Sequence, residues 1–107
     1  MNVESPQVVT TRFQGLWTSL KSRLQAGDLQ GALAHLAPSL RSRFETVFQQ
    51  LGTALPAIAT SLGNLEVVEQ VGELAETVIV QQEDGVPMLY FIYFRRDSLG
   101  RWLIEEM

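Results

Sequence analysis

The chain has 107 residues, 46% of them hydrophobic and 19% charged, with no cysteine and a formal net charge of −4. That length suits one domain, able to bury roughly two-thirds of the surface its unfolded chain exposes, and the composition is that of a globular chain and not a disordered one. The acidic balance argues against a nucleic-acid partner and an anionic membrane surface, and the missing thiols remove disulfides, thiolate zinc sites, iron–sulfur clusters and cysteine nucleophiles together.

Ser5-Pro6 opens a first helix, because Ser caps orphan amides and Pro loses nothing at the first helical position. Val9, Phe13, Leu16, Trp17, Leu20 and Leu24 then recur at spacings of three and four, one apolar stripe. Gly27 supplies a left-handed C-cap and Asp28 can cap a short second helix with Leu29, Ala32, Leu33 and Leu36 on its buried side. Pro38-Ser39 closes that helix and opens a third carrying Leu40, Phe44, Val47, Phe48 and Leu51. Gly52-Thr53 punctuates again, and a last helical segment sets Leu55, Ile58, Ala59 and Leu62 on one side, with Pro56 in its first turn if Thr53 caps. Gly63-Asn64 ends the helical half.

From Leu65 the period shifts towards two. Leu65, Val67 and Val71 alternate with Glu66 and Gln70, and after Gly72 a second strand sets Val78 and Val80 against Thr77, Ile79 and Gln81. Glu83-Asp84-Gly85 and Asp97-Ser98-Leu99-Gly100 are hairpin turns. Between them runs the strongest strand, Met88 to Arg95, apolar on both faces and so expected to be central and covered on both sides. Trp102 and Ile104 mark a final strand running to Met107. The reading is a single α+β domain over residues 1–107, with a helical layer of three to four helices (5–63) packed on an antiparallel sheet of about four strands (65–106).

The longest apolar run, Val86 to Phe94, has nine residues and includes Pro87, against roughly 20 needed to span a bilayer as a helix. Residues 1–12 show no apolar core of a secretory signal, so the expected location is cytoplasmic, without membrane contact. Charge divides unevenly: residues 1–64 carry five basic against three acidic groups, and 65–107 three against nine. Solvated helix faces and strand rims explain this most simply, with a helix-to-sheet self-association as the sharper alternative.

Helices on one sheet face leave alternate residues of the Met88 to Phe94 strand uncovered, which leads to a homodimer through the outer face, with Met88, Tyr90, Ile92 and Phe94 as candidate dimer-face residues. The other set, Leu89, Phe91 and Tyr93, could equally be the outer one. A strongly twisted sheet wrapped by helices is the competing account.

The Gly27-Asp28 junction, the Pro38-Ser39 break, and a closing hairpin of Tyr90-Phe91-Ile92-Tyr93-Phe94-Arg95-Arg96-Asp97 followed by Gly100-Arg101-Trp102-Leu103-Ile104 resemble the nuclear transport factor 2-like (cystatin-like cone) superfamily over most of the chain. Such a resemblance implies a cone-like fold. It covers ketosteroid-isomerase-like enzymes, small polyketide cyclases and non-catalytic binding or oligomerisation modules.

Acid–base chemistry in such a pocket would need an inward carboxylate and an oxyanion-holding tyrosine. Glu76 with Tyr90 or Tyr93 is the nearest match, since Glu76 shares strand parity with Leu74, Val78 and Val80; a solvated rim position is the plainer role for it. His35, the only imidazole, falls at the flank of the second helix stripe. Trp17, Phe91 and Trp102 are candidate pocket residues, although core packing suits them as well. No metal-ligand spacing, nucleotide loop or nucleophile elbow occurs, so no metal or cofactor is expected. The leading expectation is a non-catalytic dimeric module of bacterial cytoplasmic type that binds a protein partner or a small apolar ligand. The alternative is an isomerase- or cyclase-like enzyme acting on a hydrophobic ring compound between the first helix and the sheet.

Overall fold

The first helix begins where Ser5 caps it: the Ser5 hydroxyl accepts from the Val8 amide at 3.2 Å and Pro6 follows at the first helical position. The computed structural model describes residues 5–107; the first four residues, part of the stretch read above as free of a secretory signal, lie outside the described residues. Helix α1 runs Pro6–Gln25, α2 Leu29–Leu33, α3 Pro38–Leu51 and, after a 3₁₀ turn at Gly52–Ala54, α4 Leu55–Ser61. Strands β1 (Leu65–Val71), β2 (Leu74–Glu83), β3 (Val86–Arg96) and β4 (Trp102–Glu106) form one antiparallel sheet in chain order. The architecture is thus α+β, helices first and sheet second. No helix among the described residues is long and apolar enough to cross a membrane.

Helix α1 ends as its Gly27 requires. Gly27 has φ +75°, its amide donates to Leu24 O and the next amide, of Asp28, donates to Arg23 O at 2.8 Å, which closes the last turn in a Schellman arrangement. Asp28 then caps α2 through a 3.0 Å bond from the Gly31 amide, which holds its carboxyl below the usual carboxylate range, with the Arg23 guanidinium adding to the effect. Helix α2 stops at Leu33, earlier than the apolar pattern suggests, because the chain is needed elsewhere. Ile104 donates to His35 O at 2.8 Å and accepts from the Ala37 amide at 2.7 Å, so Leu36 forms a parallel bridge that covers the outer edge of β4. Thr53 does not cap α4; the 3₁₀ turn runs straight into it without a side-chain cap.

The turn between β2 and β3 is two residues long, with Glu83 paired to Val86 and positive φ at both Asp84 and Gly85. That geometry matches the right-handed twist of the flanking strands and fixes their register. In the β3–β4 loop the Asp97 carboxylate accepts from the Leu99 and Arg101 amides and from the Arg101 guanidinium, at 2.8 to 2.9 Å. These bonds, led by the one from the Arg101 amide, hold the Asp97 carboxyl below its ordinary range.

The core lies between α1 and the sheet. Phe13 sits on Phe94 and edge-on to Trp102, each with ring centroids 5.0 Å apart, and Leu20, Leu36, Leu65, Ile92 and Ile104 surround them. Register assigns the faces. Thr77 pairs with Ile92, Ile79 with Tyr90 and Ala75 with Phe94, so the helix-facing side of β2 is Ala75, Thr77, Ile79 and Gln81. This corrects two expectations. Leu74, Glu76, Val78 and Val80, the more apolar set apart from Glu76, line the outer face, because small Ala75 and Thr77 leave room for Phe94 and α1. Thr77 is tolerated at full burial because its hydroxyl donates to Ile92 O at 2.7 Å. Val71, expected on the side of Leu65 and Val67, lies on the outer face, because a bulge at Val68 shifts the parity of β1 between Val67 and Glu69.

Candidate functional site

Helices α1, α3 and α4 diverge from the sheet near the β2–β3 hairpin, leaving a cavity of about 430 Å³. Its walls are apolar: Trp17, Leu20 and Leu24 from α1, Phe48 and Leu51 from α3, Leu55, Ile58 and Ala59 from α4, and Ile79 and Ile92 from the sheet. Polar groups gather at one end, where Ser61, Gln81, Glu83 and Tyr90 border it. Their positions follow from the two-residue turn. Gln81 and Glu83 continue the inward parity of Thr77 and Ile79, and Tyr90 stands opposite Ile79 on the same face.

The polar end is tightly bonded. The Gln81 side chain clamps the junction between α4 and β1, accepting from the Gly63 amide at 2.8 Å and donating to Ser61 O at 2.7 Å. Trp17 Nε1 donates to Gly63 O at 3.0 Å, and the Ser61 hydroxyl donates to Ile58 O at 2.7 Å. The Tyr90 hydroxyl donates to Glu83 Oε1. That bond, with smaller contributions from burial and the carboxylate charge, raises the Tyr90 pKa, because ionising the phenol would break it and place two negative charges side by side.

Gly63 is required by a close approach. A Cβ there would lie 2.3 Å from the Val80 carbonyl oxygen, which is backbone and cannot swing aside. Gly63→Ala is therefore expected to lower stability by about 1–3 kcal/mol through overpacking. A urea unfolding curve matching that of the wild type would contradict this packing.

The candidate residues do not gather at one place. Trp17 lines the cavity, while Trp102 is packed edge-on against Phe13 and does not. Phe91 borders the cavity although its register position is on the outer face, where its ring stacks with Tyr93. Glu76 and Tyr93 are cross-strand partners on that outer face, in a shallow cleft with Glu69, Arg95, Glu105 and Glu106. They are not brought together with Tyr90, and the expected inward Glu76 is corrected to an outward one by the β2 register.

His35 joins α2 to α1. Both ring nitrogens are occupied at 3.0 Å, by Gly31 O and by Ser19 Oγ; as a carbonyl only accepts, Nδ1 donates to Gly31 O, and Nε2 is hydrogen-bonded to the Ser19 hydroxyl. The ring is a structural bridge away from the cavity. Of the candidate dimer-face residues, Ile92 and Phe94 are each 1% exposed and belong to the core, whereas Met88 and Tyr90 share their face but lie towards the hairpin and are exposed. Helices α1 to α4 cover that face, so the uncovered apolar surface is the other set, Leu89, Phe91 and Tyr93 with Val78 and Val80.

Sequence reasoning missed Gln81 and Glu83, which were assigned to the pleat and the turn. A signal for them existed, since a two-residue Asp84-Gly85 turn makes Glu83 the last strand residue and puts it in phase with Ile79. Among the described residues no group of three or more His, Asp or Glu side chains is placed to hold a metal. Comparison with models of known protein families, with curated proteins and with solved structures finds no match.

Proposed function

We propose that this chain is a non-catalytic binding module of the nuclear transport factor 2-like kind, taking a small apolar ligand between its helices and its sheet and self-associating through the outer sheet face in a bacterial cytoplasm. The observation that carries the ligand reading is the cavity: about 430 Å³, walled by aliphatic and aromatic side chains with its polar groups at one end. Ligand pockets fall at about 300–1,000 Å³ with this pattern of lining. The order of elements, helices followed by an antiparallel meander, supports the cone-like resemblance noted in the sequence. Glu76, on which the isomerase- or cyclase-like alternative depended, lies on the outer face, so that alternative has no inward carboxylate at that position.

Titration with the neutral apolar fluorophore N-phenyl-1-naphthylamine tests the reading. Saturable binding at micromolar concentration is expected, and Ile58→Trp, which narrows the cavity from a partly exposed position, should weaken it by about tenfold, equivalent to ~1.4 kcal/mol. Absence of saturable binding to the wild type would overturn it.

A further inference from the structure

The hydrogen-bond inventory at the polar end of the cavity specifies more than an apolar ligand. Every donor-bearing side chain there already has an acceptor: Gln81 donates to Ser61 O, the Ser61 hydroxyl to Ile58 O, the Trp17 indole to Gly63 O, and the Tyr90 hydroxyl to Glu83. What remains is the second amide N–H of Gln81 and, on a charged group, acceptor capacity. A carboxylate offers about four lone-pair sites, and Tyr90 engages one Glu83 oxygen. The ion pairs among the described residues join Arg23 to Asp28, Arg95 to Glu105, Arg96 to Glu73 and Arg101 to Asp97, and none reaches Glu83. Asp84, next in the turn, adds a second negative charge at the same end. An entering carboxylate would meet two negative charges against one neutral amide N–H of Gln81, whereas a ligand that donates from a cationic head meets a carboxylate with no ion-pair partner at the rim of an apolar cavity.

We infer that the cavity selects a primary amine on an apolar body, with the alkyl part against Trp17, Leu20 and Phe48 and the ammonium at Glu83 beside the Tyr90 hydroxyl. This rests on the ligand-binding reading of the cavity. Charge-assisted bonds of this kind are roughly twice as strong as neutral ones, and Glu83 and Tyr90, both exposed at the rim, are open to an ammonium arriving from solvent. Tyr90 acts as a positioning residue, holding the carboxylate at the rim.

Displacement of N-phenyl-1-naphthylamine by decylamine, decanol and decanoate at neutral pH tests this, since the three are ten-carbon chains that differ in the head group. Decylamine is expected to displace at concentrations about tenfold below decanol, and decanoate at about tenfold above it. Glu83→Gln should bring decylamine to within about twofold of decanol, with a much larger loss for decylamine than for decanol, whose hydroxyl can still donate to the Gln side-chain oxygen. Asp84→Asn, which removes the same charge from the turn, should preserve most of the preference for amine, and with an unchanged circular dichroism spectrum it serves as the folded control. Decanoate binding as tightly as decylamine, or Glu83→Gln weakening amine and alcohol alike, would overturn the amine selection while leaving the apolar cavity in place. Failure of the fluorophore itself to bind would remove both.

Discussion

Phe94→Ala is expected to lower the stability of the fold by about 3–5 kcal/mol, the range for deleting a buried aromatic ring. Phe94 is almost fully buried, opposite the small Ala75 on β2 and Ile104 on β4, and its ring centroid lies 5.0 Å from that of Phe13. Loss of the ring would leave a void that Ala75 cannot fill and would free Phe13 from one of its two aromatic neighbours, the other being Trp102. A domain of this size has only about 5–15 kcal/mol in total, so a large part of the folded population is at risk. The comparison that isolates burial is Phe91→Ala, the same change three residues away on the same strand. Phe91 is 44% exposed on the opposite face, and at protein concentrations below any association its truncation should cost about 1 kcal/mol or less. Urea unfolding of both variants is the measurement. Equal losses would mean that the two faces of β3 are not distinguished as described.

That contrast between Phe91 and Phe94 marks the limit of what the sequence conveys. The helical half is legible because each helix must bury one stripe: Phe13, Trp17, Leu20 and Leu24 recur at helical spacing and all four are buried. Caps and turns are legible because they depend on local chemistry, as at Ser5, Gly27, Asp28 and Asp84-Gly85. Strand β3 is different. Its residues are apolar at both parities, so the alternation that normally names the inner face is missing, and only pairing with β2 assigns it. In β2 the hydrophobic count points the wrong way, since the buried parity contains Ala75 and Thr77 while Leu74, Val78 and Val80 lie outside. Side-chain volume decides there, and volume complementarity is set by partners far away in sequence. The bulge at Val68 is hidden for the same reason, as nothing between Val67 and Glu69 signals an extra residue.

The cavity was legible in part. Its position between the first helix and the sheet follows from the layer order, and Trp17 and Tyr90 were already candidates. Its polar end was not, because Glu83 reads as a turn residue until the two-residue hairpin is recognised, and because Glu76 is a more conspicuous strand carboxylate. Which of the two faces inward depends on odd and even positions along one strand.

Leu89→Glu or Phe91→Glu is expected to raise the dissociation constant of the proposed homodimer by about 100-fold or more, as each places a charge in the centre of the outer face. Val80 pairs with Leu89 and Val78 with Phe91, and Phe91 stacks on Tyr93, so these five side chains form one continuous apolar surface on β2 and β3. Leu89 is 60% exposed, which lets the charged variants fold as monomers. Ile92→Glu would be uninformative, since Ile92 is core and a buried charge there would unfold the chain. The rim supplies an independent check. Glu66, Glu69, Glu76 and Glu106 surround the apolar centre, and the Arg95 guanidinium is paired with Glu105 at 2.7 Å, so two copies face to face bring like charges together. The screening length falls from about 10 Å at 0.1 M salt to about 3 Å at 1 M, so added salt should tighten a homodimer, whereas it should weaken binding of a basic partner to the same face. Sedimentation of the wild type at micromolar concentration across that salt range measures the self-association. A wild-type monomer throughout would overturn the homodimer, and the acidic rim would then favour a basic partner for this surface, because an apolar centre ringed by unpaired carboxylates complements the opposite charge.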